Sequence, residues 1–127
     1  MYSGNLLSDK CILVTGGSRG LGRALCDEFS AQGANVAFNY SSDDAGAEES
    51  LGIIEGNGRK GLSYKVSVLD SSGLNDMVKD IETSWEKIDI LVNNAGISQP
   101  LPIALMEEDD WDEVMDINAK GQFLTAR

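Results

Sequence analysis

The chain has 127 residues with 10 Lys+Arg against 21 Asp+Glu, a formal charge of −11, and no histidine. Its length fits one domain, and 42% apolar with 24% charged residues is the balance of a chain that can bury a core. The acidic excess argues against nucleic acid or an anionic membrane surface as a partner, and the lack of histidine removes Ser/His/Asp and Cys/His catalysis and every His-containing metal site, so no metal is expected.

Met1 to Lys10 lacks a basic flank followed by an apolar core, and no apolar run approaches the ~18 residues of a membrane span. A soluble, cytoplasmic protein is expected. Cys11 lies in an apolar run and Cys26 in a helical pattern, which reads as two reduced, buried thiols rather than a disulfide.

Cys11-Ile12-Leu13-Val14, stopped by Thr15-Gly16-Gly17, has the pattern of a strand buried on both faces of a parallel sheet. From Gly20 the period changes to helical, with Leu21, Ala24, Leu25 and Phe29 expected on the inner face and Gly33 at the C-terminal end. Asn35 to Tyr40 is a second strand. Ala47, Leu51 and Ile54 mark a second helix that ends at Gly56-Asn57-Gly58. Leu62, Tyr64, Val66 and Val68 alternate as a third strand, and Asp70-Ser71-Ser72 supplies cap chemistry for a third helix. That helix buries Leu74, Met77, Val78, Ile81 and Trp85 and turns Asp76, Lys79, Asp80 and Glu82 outward. Ile88 to Val92 is a fourth strand. A loop with Pro100 and Pro102 leads to a last helix from Glu107 or Glu108, which reaches Arg127 without a stop signal, so the chain is expected to be cut inside it. The alternation implies a Rossmann-type, doubly wound parallel α/β sheet in three αβα layers, truncated after about four strands.

Thr15-Gly16-Gly17-Ser18-Arg19-Gly20-Leu21-Gly22 joins the first strand to the first helix. Gly16 can leave the strand at an unusual φ, Gly20 can let a ligand approach the backbone, and Gly22 can let the helix press on the sheet. Unpaired N–H groups at the helix start would then face a pyrophosphate, so an acidic protein can hold an anion through a local field.

The usual Gly-x-Gly-x-x-Gly fingerprint is not met. The Gly-x-x-x-Gly-x-Gly spacing, with Arg19 inside it, resembles the short-chain dehydrogenase/reductase family. Asn93-Asn94-Ala95-Gly96 after the fourth strand resembles that family's Asn-Asn-Ala-Gly motif. Asn118, in Met115-Asp116-Ile117-Asn118-Ala119-Lys120-Gly121, is similar to its active-site asparagine. The likeness covers essentially the whole chain and is to the family's N-terminal half, most like its 3-oxoacyl-[acyl-carrier-protein] reductase-like members. It implies an NAD(P)-dependent oxidoreductase that interconverts carbonyl and alcohol by hydride transfer.

The resemblance also assigns residues. Gly16, Ser18, Arg19, Gly20 and Leu21 would hold the dinucleotide, with Asn94, Ala95 and Gly96 bordering its ribose and Asn93 bracing the strands. Where the family usually has an Asp near the adenine this chain has Ser67, beside Val68. Asn118 would be the catalytic-set member, kinking its helix and holding a water through its carbonyl; tying helix to loop is the structural alternative. The end of the second strand, where NAD sites commonly place a carboxylate, is Tyr40 followed by Ser41 and Ser42. Asp43 and Asp44 come later, where a helix start recruits acids anyway, although a loop swing would bring Asp43 onto the ribose. Arg19 offers a fork of donors to a phosphate, so NADP(H) is favoured over NAD(H).

Trp111, Val114, Met115, Asn118 and Gly121 or Gln122 share one helical face, expected to pack on the sheet, and Trp85 and Trp111 read as packing residues. Seven of the ten residues from Glu107 to Asp116 are acidic, which the helix dipole and solvation explain better than a metal.

The family works with a serine, a tyrosine and a lysine four residues after the tyrosine, which lowers the tyrosine pKa. Here Tyr2, Tyr40 and Tyr64 are followed at that distance by Leu6, Asp44 and Val68. The resemblance places the missing set beyond residue 127, so the isolated chain is expected to be inactive, and Lys120 does not take that role. It also implies strand order 3-2-1-4 with the fourth strand on an open edge, a liability that a homo-oligomer or a complementing C-terminal half would cover. A truncated product, half of a split enzyme and a dimerising chain all remain open, as does a noncatalytic dinucleotide-binding or interaction module. A methyltransferase would explain the glycine turn but neither asparagine motif.

Overall fold

The computed structural model describes residues 5–127; Tyr2 and the first residues of the segment read for a leader lie outside them. Four strands, β1 (Cys11–Thr15), β2 (Asn35–Tyr40), β3 (Gly61–Lys65) and β4 (Ile90–Val92), form one sheet in the order β3-β2-β1-β4. Every pair is parallel, with Cys11 opposite Asn35, Val36 opposite Gly61 and Ile12 opposite Ile90. The connections are α1 (Gly20–Ala31), α2 (Asp44–Gly56) and α3 (Ser71–Trp85). After β4 come a 3-10 turn at Ile103–Leu105, α4 (Glu108–Met115), a π turn at Asp116–Lys120 and α5 (Gly121–Ala126).

The period-two geometry of the two central strands splits the core into two layers. Ile12, Val14, Val36 and Phe38 pack with Cys26 of α1 and with Ala47 and Ile54 of α2. Leu13 and Ala37 point to the other face and pack with Leu74, Met77 and Ile81 of α3. Both cysteines are buried and free, and burial pushes the Cys26 thiol up to about 12. Asp43 and Asp70 cap α2 and α3 by accepting the Gly46 and Gly73 N–H groups, each at 2.9 Å. Among the described residues no helix is long and apolar enough to cross a membrane.

Several elements differ from the sequence reading. The fully buried face of α1 is Gly22, Cys26 and Ser30, with Leu25 and Phe29 packed against the core as expected, while Leu21 and Ala24 are exposed. Gly22 sets this rotation, because a Cβ there would stand 1.9 Å from the Gly16 carbonyl oxygen, so only a glycine-bearing face can meet the turn. β3 stops at Lys65 rather than Val68: the Val66 carbonyl accepts the Asn39 side chain at 2.9 Å and the Ser67 hydroxyl accepts the Leu69 N–H at 3.2 Å, which takes the chain out of the ladder. β4 begins at Ile90 rather than Ile88, since the Cys11 N–H goes to the Asp89 carboxylate at 2.8 Å. The last helical stretch runs without a gap from Glu108 to Ala126 as expected but carries a π turn at Asp116–Lys120, and Trp111, Met115 and Gln122 are exposed. The extra residue in a π turn shifts the helical face, so only Val114, Asn118 and Gly121 of the expected stripe are withdrawn from solvent.

Candidate functional site

The C-terminal ends of the strands open into a crevice of about 350 Å³ at the point where the sheet order reverses between β1 and β4. Gly16, Ser18, Arg19, Leu21, Tyr40, Ser41, Ser67, Val68, Asn94, Ala95 and Gly96 all line it. Of the residues the sequence assigned to a ligand only Gly20 does not; it is exposed beside the crevice.

The turn has the conformation its glycines allow. Gly16 has φ 74° and Gly20 φ 57°, both in the left-handed region that favours glycine. A Cβ on Gly20 would meet no atom within 4 Å, which leaves open space over the backbone. α1 begins at Arg19 without a side-chain cap and has no acid in its first turn, so the amides that open the helix lack an internal acceptor. This is the electrostatic setting of an anion site. Leu21, 69% exposed, stands on the crevice wall instead of in the core.

Two asparagines hold the turn in place. The buried Asn39 accepts the Gly16 N–H on its carboxamide oxygen at 3.0 Å and donates to the Val66 carbonyl at 2.9 Å. Its main-chain carbonyl accepts the Gly16 and Gly17 N–H groups, both at 3.1 Å. On the other side Asn94 donates from its side chain to the Thr15 and Gly16 carbonyls at 3.1 and 3.2 Å. The N–H groups of Asn94 and Ala95 donate to the Thr15 hydroxyl oxygen at 3.0 and 2.9 Å. Bracing therefore falls to Asn94, and Asn93, assigned that task from the sequence, is exposed. Asn39 was missed, although a polar residue inside the apolar run Asn35 to Tyr40 was its signal. Gly22, Val66, Ile97 and Ile117 also line the crevice, and nothing in the pattern marked the two isoleucines.

Asn118 clamps the loop after β4. Its carboxamide accepts the Ile97 N–H and donates to the Ile97 carbonyl, both at 2.8 Å. It lies within the π turn, whose hydrogen bonds run one residue further back than in an α-helix, so the structure shows the tie together with a local widening of the helix.

Neither acid after β2 faces the crevice. Asp43 is spent as the α2 cap. Asp44 accepts the Tyr40 hydroxyl at 3.0 Å and pairs with Lys65 at 3.2 Å, and the Lys65 bond, then the Tyr40 bond, hold its carboxyl below the usual range. The acids from Glu107 to Asp110 suit the start of α4, where the Glu107 N–H donates to Asp110 at 2.9 Å, while Asp112, Glu113 and Asp116 lie toward its other end. Among the described residues no three metal-ligating side chains converge.

Residues 10–127 match the family described as short chain dehydrogenase, and the chain belongs to that family. It is 37% identical over 114 residues to "3-oxoacyl-[acyl-carrier-protein] reductase FabG" of Staphylococcus aureus (strain N315), covering 90% of this chain and 46% of that protein. It is 36% identical over 123 residues to "Glucose 1-dehydrogenase 2" of Bacillus subtilis (strain 168), covering 95% of this chain and 47% of the relative. The chain thus spans about half the length of the curated relatives it matches. Among solved structures it superposes at TM-score 0.90 and 32% identity on a short chain dehydrogenase from Burkholderia cenocepacia J2315 in complex with NADP, covering 96% of this chain and 50% of the other. It superposes at TM-score 0.89 and 26% identity on a short chain dehydrogenase from Mycobacterium paratuberculosis bound to NAD, covering 94% of this chain and 49% of the other.

Proposed function

We propose that residues 1–127 are the dinucleotide-binding half of an NADP(H)-dependent short-chain oxidoreductase that reduces carbonyls or oxidises alcohols. The observation that carries this reading is one crevice that joins a left-handed glycine turn, an uncapped helix start and the Asn94-Ala95-Gly96 loop. The amides from Ser18 to Leu21 fit a pyrophosphate, Ser67 and Val68 border an adenine, and Asn94 to Gly96 border the nicotinamide-side ribose. When bound, the dinucleotide supplies or accepts the hydride.

The preference for NADP(H) rests on side chains. β2 ends in Tyr40, Asp43 and Asp44 are engaged elsewhere, and Arg19 and Ser41 line the crevice as donors for a 2′-phosphate. The structural neighbours include both an NADP and an NAD complex, so the choice falls to these residues.

The chain's own tyrosines are poor proton donors for the reaction. Tyr40 donates to Asp44 and Tyr64 to Asp80, at 3.0 and 2.6 Å, and burial together with those carboxylates raises both hydroxyl pKa values. A catalytic tyrosine needs the opposite shift. Asn118 is then the one member of the catalytic set carried here, positioning the loop at Ile97, and the serine and the tyrosine–lysine pair come from another segment.

A second reading, a noncatalytic module that pairs with another chain, is favoured by the exposed Ile103, Leu105, Trp111 and Phe123 in the stretch after β4, itself an edge strand. Calorimetric titration with NADP+ and NAD+, followed by NADPH oxidation assays with carbonyl substrates, tests the proposal. Binding of NADP+ without turnover by the 127-residue chain is expected. No binding of either dinucleotide overturns the site, and carbonyl-dependent oxidation by this chain alone overturns the assignment of the missing set.

A further inference from the structure

Tyr40 closes β2, Lys65 closes β3, and the two are register partners in the sheet. Asp44, the first residue of α2, reaches both, accepting the Tyr40 hydroxyl at 3.0 Å on one carboxylate oxygen and pairing with the Lys65 ammonium at 3.2 Å on the other. Tyr40 lines the crevice, so a carboxylate stands one hydrogen bond behind its wall, with its charge cancelled by a cation from the neighbouring strand. The pair is too exposed to contribute much to folding, at 55% and 64% side-chain exposure. Its position beside Ser41 and Tyr40 gives it a different consequence.

We propose that the Tyr40–Asp44–Lys65 array sets the preference between 2′-phosphorylated and unphosphorylated dinucleotides, with Lys65 the specificity-determining residue. This inference rests on the dinucleotide reading of the crevice and deepens it. With Lys65 in place the Asp44 charge is offset, and a 2′-phosphate held by Arg19 and Ser41 meets less repulsion from that carboxylate. Without Lys65 the same carboxylate, one hydrogen bond behind Tyr40, is an uncompensated charge that repels a 2′-phosphate through the crevice wall. Removing Asp44 has the opposite result, because Lys65 is released as a further cation for the phosphate. A unit charge gained or lost behind the crevice wall, in a partly hydrated site, changes the binding of a 2′-phosphate by about tenfold at low salt, and less as salt screens it.

The test is calorimetric binding of NADP+ and of NAD+ to the 127-residue chain and to Lys65→Met, Lys65→Arg, Asp44→Asn and the Lys65→Met/Asp44→Asn double variant, at low and high salt. Lys65→Met weakens NADP+ by about tenfold and leaves NAD+ within about twofold, Lys65→Arg restores the wild-type ratio, and Asp44→Asn tightens NADP+ by about three- to tenfold. The double variant returns towards the wild-type ratio, and every shift shrinks in high salt. A purely structural ion pair would move the denaturant midpoint of the variants and leave the NADP+/NAD+ ratio alone, which overturns the inference while the crevice reading stands. Failure of the wild-type chain to bind either dinucleotide overturns the crevice reading, and this inference falls with it.

Discussion

The β1–β2 half of the sheet and the stretch after β4 both carry large apolar side chains and end in different physical states. In the first, Ile12, Val14, Val36 and Phe38 are fully buried, because each strand has a strand on either side and helices on both faces. In the second, Ile103 is 89% and Trp111 59% exposed, with Leu105 and Phe123 beside them, and β4 is a three-residue edge strand. Apart from Leu124 on the α3 side of the core and Gly121 against Val68, what holds the second region is polar: Asn118 on Ile97, Thr15 on Asn94 and Ala95, and Gln99 on Glu113 at 2.6 Å. Apolar composition builds a core only where a second layer exists to receive it. The glycine turn belongs to the first region and inherits its rigidity, whereas the loop carrying the other crevice wall depends on a few hydrogen bonds.

The largest expected effect tests that contrast directly. Phe38→Ala empties a fully buried site against both α1 and α2 and should cost about 3–5 kcal/mol, read as a fall in the urea midpoint. Trp111→Ala, on an exposed α4 position, should stay within about 0.5 kcal/mol. A Trp111 loss approaching that of Phe38 would mean that the exposed apolar residues are covered by another molecule in solution, and the two regions would no longer differ in kind.

Next in size is Gly22→Ala. One methyl group placed 1.9 Å from the Gly16 oxygen and 2.8 Å from the Asn94 side chain must push α1 off the turn, because the first obstacle is backbone and cannot rotate away. Overpacking of this kind costs about 1–3 kcal/mol, and here it should be accompanied by loss of dinucleotide binding. Unchanged binding in a destabilised Gly22→Ala chain would separate the turn from the site.

The sequence shows the first region well and the second poorly, for a reason visible in single residues. β2 has its expected bounds, Asn35 to Tyr40, because the apolar Val36-Ala37-Phe38 between Gly33 and the Ser41-Ser42 turn admits few other arrangements. Of the expected α1 face Leu25 and Phe29 pack on the core, while Leu21 is exposed, because periodicity weighs it by hydrophobicity and the helix is oriented by the absence of a side chain at Gly22. Trp111 and Met115 were placed in the core by the same logic, but the π turn around Asn118 shifts the face and no facing layer is there to bury them. The glycine turn and the Asn94 loop were legible as motifs. That they line one crevice with Asn39 and Ile117 depends on long-range pairing, which no local pattern encodes.

The smallest effect probes the polar side of the comparison. Asn118→Leu removes both bonds to Ile97 and leaves that residue's N–H and carbonyl without partners in a part-buried place, at a cost of about 1 kcal/mol. Because the tie joins the loop to the π turn and not to the sheet, the loss should be local. Hydrogen exchange is expected to show the Ile97 amide losing protection while the Val36 and Phe38 amides keep theirs. If instead all three amides lose protection together, the loop and the sheet open as one cooperative unit, and the division into a packed region and a tethered one is wrong.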